Sequence, residues 1–189
     1  MDKQLSRKIY QELINGKMIN KYVQRDGTRS ENRLYTELML TDNLTRYREL
    51  YSAIGYELKT LGDAFFLNEV DGDDAISEVA MKIQALIIVM ARGITMLRGR
   101  TEALLEDAAG LPREQIEQIG EDDEVQQVLR AASLGRVSLL NDVETVLVVR
   151  QVAYWNTRDR LVLTDGGVAL YEHMNALEEV DHWEVREEA

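Results

Sequence analysis

Leu50–Val70 reads LYSAIGYELKTLGDAFFLNEV, and two short β-like runs stand out in it, Tyr56–Leu61 and Ala64–Val70. Gly62-Asp63 between them is a turn pair, so the two runs read as the arms of a hairpin. Gly55 precedes the first arm and is placed to stop a helix. That helix carries Leu44, Tyr47, Leu50, Tyr51 and Ile54 as its apolar residues, and Thr41 or Asp42 is placed to cap it.

Upstream, Leu5–Asn15 has Leu5, Ile9, Leu13 and Ile14 at helical spacing, with Gly16 as its stop. Met18–Val23 continues with apolar residues, Gln24–Glu31 reads as a polar loop around Gly27, and a second helix is expected over Asn32–Leu40. Three helices followed by a hairpin is the order of a winged helix. Residues 1–70 are therefore expected to form a first winged-helix domain.

Asp71-Gly72-Asp73-Asp74 reads as an acidic linker suited to the positive end of the next helix. It is not a calcium loop, because the sixth and twelfth positions counted from Asp71 hold Ile76 and Lys82 instead of Gly and Glu. Ile76–Leu97 is the strongest helical pattern in the chain. Val79, Ile83, Leu86, Met90, Ile94 and Leu97 form one stripe, and Ile87, Ile88 and Val89 add apolar surface elsewhere. A helix apolar on nearly all sides must lie between two layers or between two subunits. Ile83, Ile87, Met90 and Ile94 are accordingly candidates for a dimer or partner interface.

Beyond it, a short helix is expected to begin at Pro112, a favoured first-turn residue, with further helices at Asp122–Ala132 and Asp142–Arg150. Gln151–Trp155 and Arg160–Leu163 read as a second hairpin joined through Asn156-Thr157-Arg158-Asp159. Thr164 is placed to cap a closing helix over Gly167–Leu177. The expected organisation is mainly α with short β-hairpins: tandem winged-helix domains at 1–70 and 71–177, then an acidic tail at 178–189.

Composition bounds the chemistry. The chain of 189 residues has no Cys and a single Pro, which excludes disulfides and thiolate metal sites and favours helix. Its net charge of −12 is uneven: residues 1–70 hold 11 Lys/Arg against 10 Asp/Glu, and residues 71–189 hold 11 against 24. Any DNA contact must therefore come from a local basic face. The opening residues Met-Asp-Lys-Gln have no apolar core of the signal-peptide kind. The longest uncharged apolar stretch, Ile83–Ala91, is nine residues, against about 20 for a membrane span. A cytoplasmic protein without a membrane partner is expected.

Catalytic signatures are absent. His173 and His182 are nine apart, where a helical metal pair wants three or four, and neither G-x-S-x-G nor a phosphate-binding G-x-x-x-x-G-K-[ST] occurs. The chain is expected not to be an enzyme and to hold no cofactor or metal.

Two stretches carry a family resemblance. "QVAYWNTRDRLVLTDGGVALYEHM", residues 151–174, looks like the wing and last helix of a winged-helix domain. "IYQELINGKMINK" at 9–21 and the segment at 50–70, with Phe65, Phe66 and Leu67 in its second strand, resemble the N-terminal region of MukE and MksE. The resemblance covers roughly residues 5–177, and the shorter C-terminus favours an MksE-like protein. It implies a non-catalytic subunit of a bacterial SMC complex, acting in chromosome organisation or in a Wadjet-type plasmid defence. The implied partners are a kleisin of the MukF/MksF kind, an SMC-type ATPase through the complex, and a second copy in a homodimer, on the nucleoid. Arg158 and Arg160 on the second wing and Arg46 and Arg48 on the third helix are candidates for weak, non-specific DNA contact. The alternative is a free-standing winged-helix transcription regulator.

Overall fold

The computed structural model describes residues 2–25, 28–70 and 78–187. The first half opens with α1 (Lys3–Ile14), whose first turn is capped by Asp2: its carboxylate accepts the N–H groups of Gln4 and Leu5 at 2.8 and 2.9 Å. Gly16, at φ +69°, ends the helix. Its N–H reaches the Leu13 carbonyl at 2.9 Å and that of Lys17 reaches Glu12 at 3.1 Å, the two closing bonds that a left-handed residue permits.

β1 (Ile19–Asn20) and a hairpin of β2 (Tyr22–Arg25) and β3 (Thr28–Glu31) follow, where the sequence suggested apolar continuation and a polar loop. The hairpin escaped notice because all four residues of β3 are exposed, so no alternation of apolar and polar residues marks the strand. Next come α2 (Arg33–Met39), α3 (Thr41–Ser52), β4 (Tyr56–Leu61) and β5 (Ala64–Glu69).

Neither Thr41 nor Asp42 caps α3. The cap position is Leu40, which has no side-chain bond to offer, and both expected residues already lie inside the first turn. The strands pair in the order β1-β5-β4. Beneath them Ile9, Leu13, Ile19, Leu38, Tyr47, Tyr51, Leu58 and Phe65 form one buried cluster.

The second half begins with α4 (Glu78–Met96); Asp71–Asp74 and Ile76 lie outside the described residues. A 3-10 turn at Thr101–Leu104, β6 (Leu111–Pro112), α5 (Arg113–Gly120) and α6 (Asp123–Ala131) follow. Pro112 stands just ahead of α5, not in its first turn, because its extended backbone, ψ 154°, is used by β6. The expected helix at 142–150 is instead α7 (Leu139–Asp142) running into a π segment, Val143–Val148. Four of those six residues are β-branched, which crowds the preceding turn of an α-helix.

β7 (Ala153–Trp155), β8 (Arg160–Leu163) and α8 (Asp165–Glu187) complete the chain. Thr164 caps α8 as expected, accepting the Gly167 N–H at 3.2 Å. The helix continues beyond Leu177, with no Gly or Pro after Gly167 to stop it. The strands pair in the order β6-β8-β7, so the strand arriving last is central in this sheet as in the first.

α4 is the middle layer of this half. Ile83, Ile87, Met90 and Ile94, expected to meet a second subunit, are 8%, 2%, 1% and 2% exposed and pack within the chain's own core. α5, α6 and the π segment cover the stripe, so its apolar character is satisfied internally. Gly93 allows the close approach: a Cβ there would fall 2.4 Å from the side chain of Ile119 on α5. By length and hydropathy alone α4 suits a membrane span, but its buried face is this packing surface.

Candidate functional site

The two halves meet through a polar junction built on Asn20, which is 1% exposed. Its side-chain amide donates to the Gln151 carbonyl at 2.8 Å and its side-chain oxygen accepts the Gly166 N–H at 2.8 Å. Its own carbonyl takes the Asn32 amide at 2.9 Å. One side chain thus joins β1, the turn before β7 and the first turn of α8. Space there is tight, since a Cβ on Gly166 would lie 2.7 Å from both Ala64 and Met18.

The β2–β3 hairpin reaches across beside it. Arg29 pairs with Asp165 at 2.7 Å while lying over the Tyr22 ring at 4.2 Å, and the Tyr22 N–H reaches the other Asp165 oxygen at 3.3 Å. Gln24 and the Tyr154 hydroxyl both donate to Asp107, at 3.2 and 2.8 Å. Burial, with the Asp107 carboxylate next, pushes the Tyr154 hydroxyl up to about 12, so it stays a donor at neutral pH. These residues line a cleft of about 370 Å³ between the halves.

The β7–β8 hairpin is fixed from inside. Asn156 accepts the N–H groups of Arg158 and Arg160 at 2.9 and 3.0 Å and donates to the Asp107 carbonyl at 2.7 Å. Arg113 on α5 forks onto Asp159 at 2.8 and 3.2 Å, pairs with Glu144 at 2.6 Å and covers the Trp155 ring at 3.9 Å. Its guanidinium holds the Asp159 carboxyl below the usual carboxylate range.

Arg158 and Arg160 are both exposed, and their guanidiniums donate to the carbonyls of Ala108 and Ala109 at 3.2 and 3.4 Å. Among the described residues neither has an ion pair, so the hairpin carries two unpaired positive charges on either side of Asp159. Arg46 and Arg48 are exposed on α3 in the other half. Two positions apart on a helix, they face different directions. Arg48 lines a groove beside β4.

The family of condensin complex protein MksE matches residues 4–154. The chain belongs to the MksE family. It is a condensin-type subunit, and membership implies interaction within an SMC-type complex. The match ends inside β7, so β8 and α8 lie beyond it although β8 is the central strand of the second sheet. Comparisons with curated proteins and with solved structures give no match.

The β4–β5 and β7–β8 hairpins lie where the sequence predicts them, with Arg158 and Arg160 on the second, but neither the β2–β3 hairpin nor the junction is legible there. Asn20, Asp107 and Asp165 are single polar residues whose side-chain partners across the junction lie 47 to 146 positions away, and no local spacing announces such a meeting. The one available signal was Asp26-Gly27, a turn pair between two polar runs.

Proposed function

We propose that the chain is a non-catalytic, kleisin-binding subunit of a bacterial SMC complex, built from tandem winged-helix domains and working as a homodimer on the nucleoid. The observation carrying this reading is the MksE family match over residues 4–154. The repeated strand order, β1-β5-β4 and β6-β8-β7, with the wing hairpin following the helix each time, supports the winged-helix assignment.

DNA contact in this reading is weak, electrostatic and made by the second wing. Arg158 and Arg160 are the supporting feature, because long cations at a polar tip reach phosphates without disturbing the core. The complex would organise chromosomes or act against plasmids.

Reconstitution tests it. The chain should co-migrate with a MukF/MksF-like kleisin, and with the SMC ATPase only when the kleisin is present. In that complex, replacing both wing arginines with Ala should weaken two unrelated duplexes alike and flatten the log–log salt slope by up to roughly two units, at about 0.9 per phosphate lost. Tight, sequence-selective binding by the chain alone, with no affinity for the kleisin, would instead establish a transcription regulator.

A further inference from the structure

β4 is an edge strand with one side open. Among the described residues it pairs only with β5, through a two-residue turn that makes Leu61 and Ala64 the closing pair. In such a hairpin the closing pair is hydrogen-bonded and the pattern alternates. Leu61, Lys59 and Glu57 therefore turn their backbone groups toward β5, while Thr60, Leu58 and Tyr56 turn theirs outward. No bond from those three to another element is found among the described residues. A groove of about 550 Å³ runs along this edge, lined by five consecutive residues of β4 and by Arg48 and Ser52 of α3.

We propose that this edge pairs with the same strand of a second copy, antiparallel about a two-fold axis at Leu58, joining two three-stranded sheets into one of six. The inference rests on the homodimer reading above and supplies its interface. Register selects it. With Leu58 facing Leu58 of the second copy, Tyr56 faces Thr60, and all three residues exchange their outward groups. On the opposite face Glu57 then meets Lys59 of the second copy, and Lys59 meets its Glu57. The nearest registers that keep the hydrogen bonds set Glu57 against Glu57 or Lys59 against Lys59, and like charges directly opposite are destabilising. Odd shifts would match outward groups against inward ones.

Charge on an edge strand ordinarily blocks pairing. Here the strand is complementary to itself about Leu58, so the same charges admit one partner and one register. Ile54 and Val70, 49% and 58% exposed at the start of β4, come beside Leu61 of the second copy and extend the contact at both ends. Within one chain Glu57 and Lys59 already pair at 3.2 Å while largely exposed, so exchanging either leaves the fold intact.

Two single variants test this. Glu57→Lys carries two positive charges on that face of β4 and Lys59→Glu two negative ones. Light scattering after size exclusion, at low micromolar concentration, should give wild type at about twice the 21.6 kDa chain mass and each variant at one chain mass. Their equimolar mixture should return to the dimer, because each supplies the charges the other lacks. Glu57→Lys/Lys59→Glu should dimerise alone, which separates lost pairing from lost folding. A wild-type monomer would remove both the homodimer and this interface. Dimeric variants, or a mixture or double variant that stays monomeric, would overturn the interface and leave the homodimer standing.

Discussion

Asn20→Ala removes the side chain that joins the two halves, and its cost can be worked from the bonds it breaks. The Gly166 N–H has Asn20 as its acceptor and is buried; leaving such a donor unpaired costs about 1–3 kcal/mol. The Gln151 carbonyl keeps the Thr164 hydroxyl at 2.8 Å, so its loss is only that of one ordinary bond, about 0.5–1.5 kcal/mol. Together the expected loss is about 2–4 kcal/mol, a large share of the margin of a small protein. Arg29→Ala, which breaks the ion pair to Asp165, should cost less than about 1 kcal/mol, because Arg29 is 55% exposed there. Urea unfolding followed by far-UV circular dichroism should therefore rank Asn20→Ala well below Arg29→Ala. An Asn20→Ala loss under about 0.5 kcal/mol at unchanged slope would refute the reasoning, since exposed substitutions do that much.

Gly93→Val should destabilise by about 1–3 kcal/mol through overpacking against Ile119, with Gly93→Ala between it and wild type because Ala regains about 1 kcal/mol of helix propensity; thermal melts give the order. Arg113→Gln should lower the urea midpoint at neutral pH, and the gap to wild type should narrow as pH falls below about 4. The sign follows from Asp159: its folded pKa is depressed by Arg113, so the stability it lends is present above the unfolded value and is lost as pH falls through the folded one. A gap constant from pH 7 downward would contradict that linkage.

The elements legible in the sequence were those whose cause is local. The β4–β5 hairpin follows from Gly62-Asp63 between two apolar runs, and the end of α1 follows from Gly16. α4 was legible as a buried helix, but not what buries it: a stripe fit for a partner and a stripe fit for α5 and α6 have the same composition. Arg158 and Arg160 fall on the β7–β8 hairpin that the sequence predicts, whereas the Arg113 fork that braces it spans 46 positions to Asp159 and left no spacing to read. The π segment was also invisible, because a run of Val and Thr marks crowding without saying how the backbone relieves it.

The two halves share a strand order but offer different surfaces, and the difference bears on what each can bind. In the second half the helix ahead of the wing is four α residues followed by π turns, and its outward side presents Glu144, Thr145 and Val149. Glu144 is engaged with Arg113, and the half carries the chain's whole acidic excess. The outward side of that helix is thus not a basic face of the kind that neutralises phosphates. At the tip of the β7–β8 hairpin, carbonyls of Ala108 and Ala109 hold the two exposed guanidiniums without neutralising them. Under the proposed reading these cations would meet phosphates, whose contacts position a protein and carry no sequence information. In the first half α3 exposes Glu49 and Leu50 directly after its arginines, a surface of mixed charge and apolar character. The chemistry of both faces is in keeping with the family, whose membership implies interaction within an SMC-type complex.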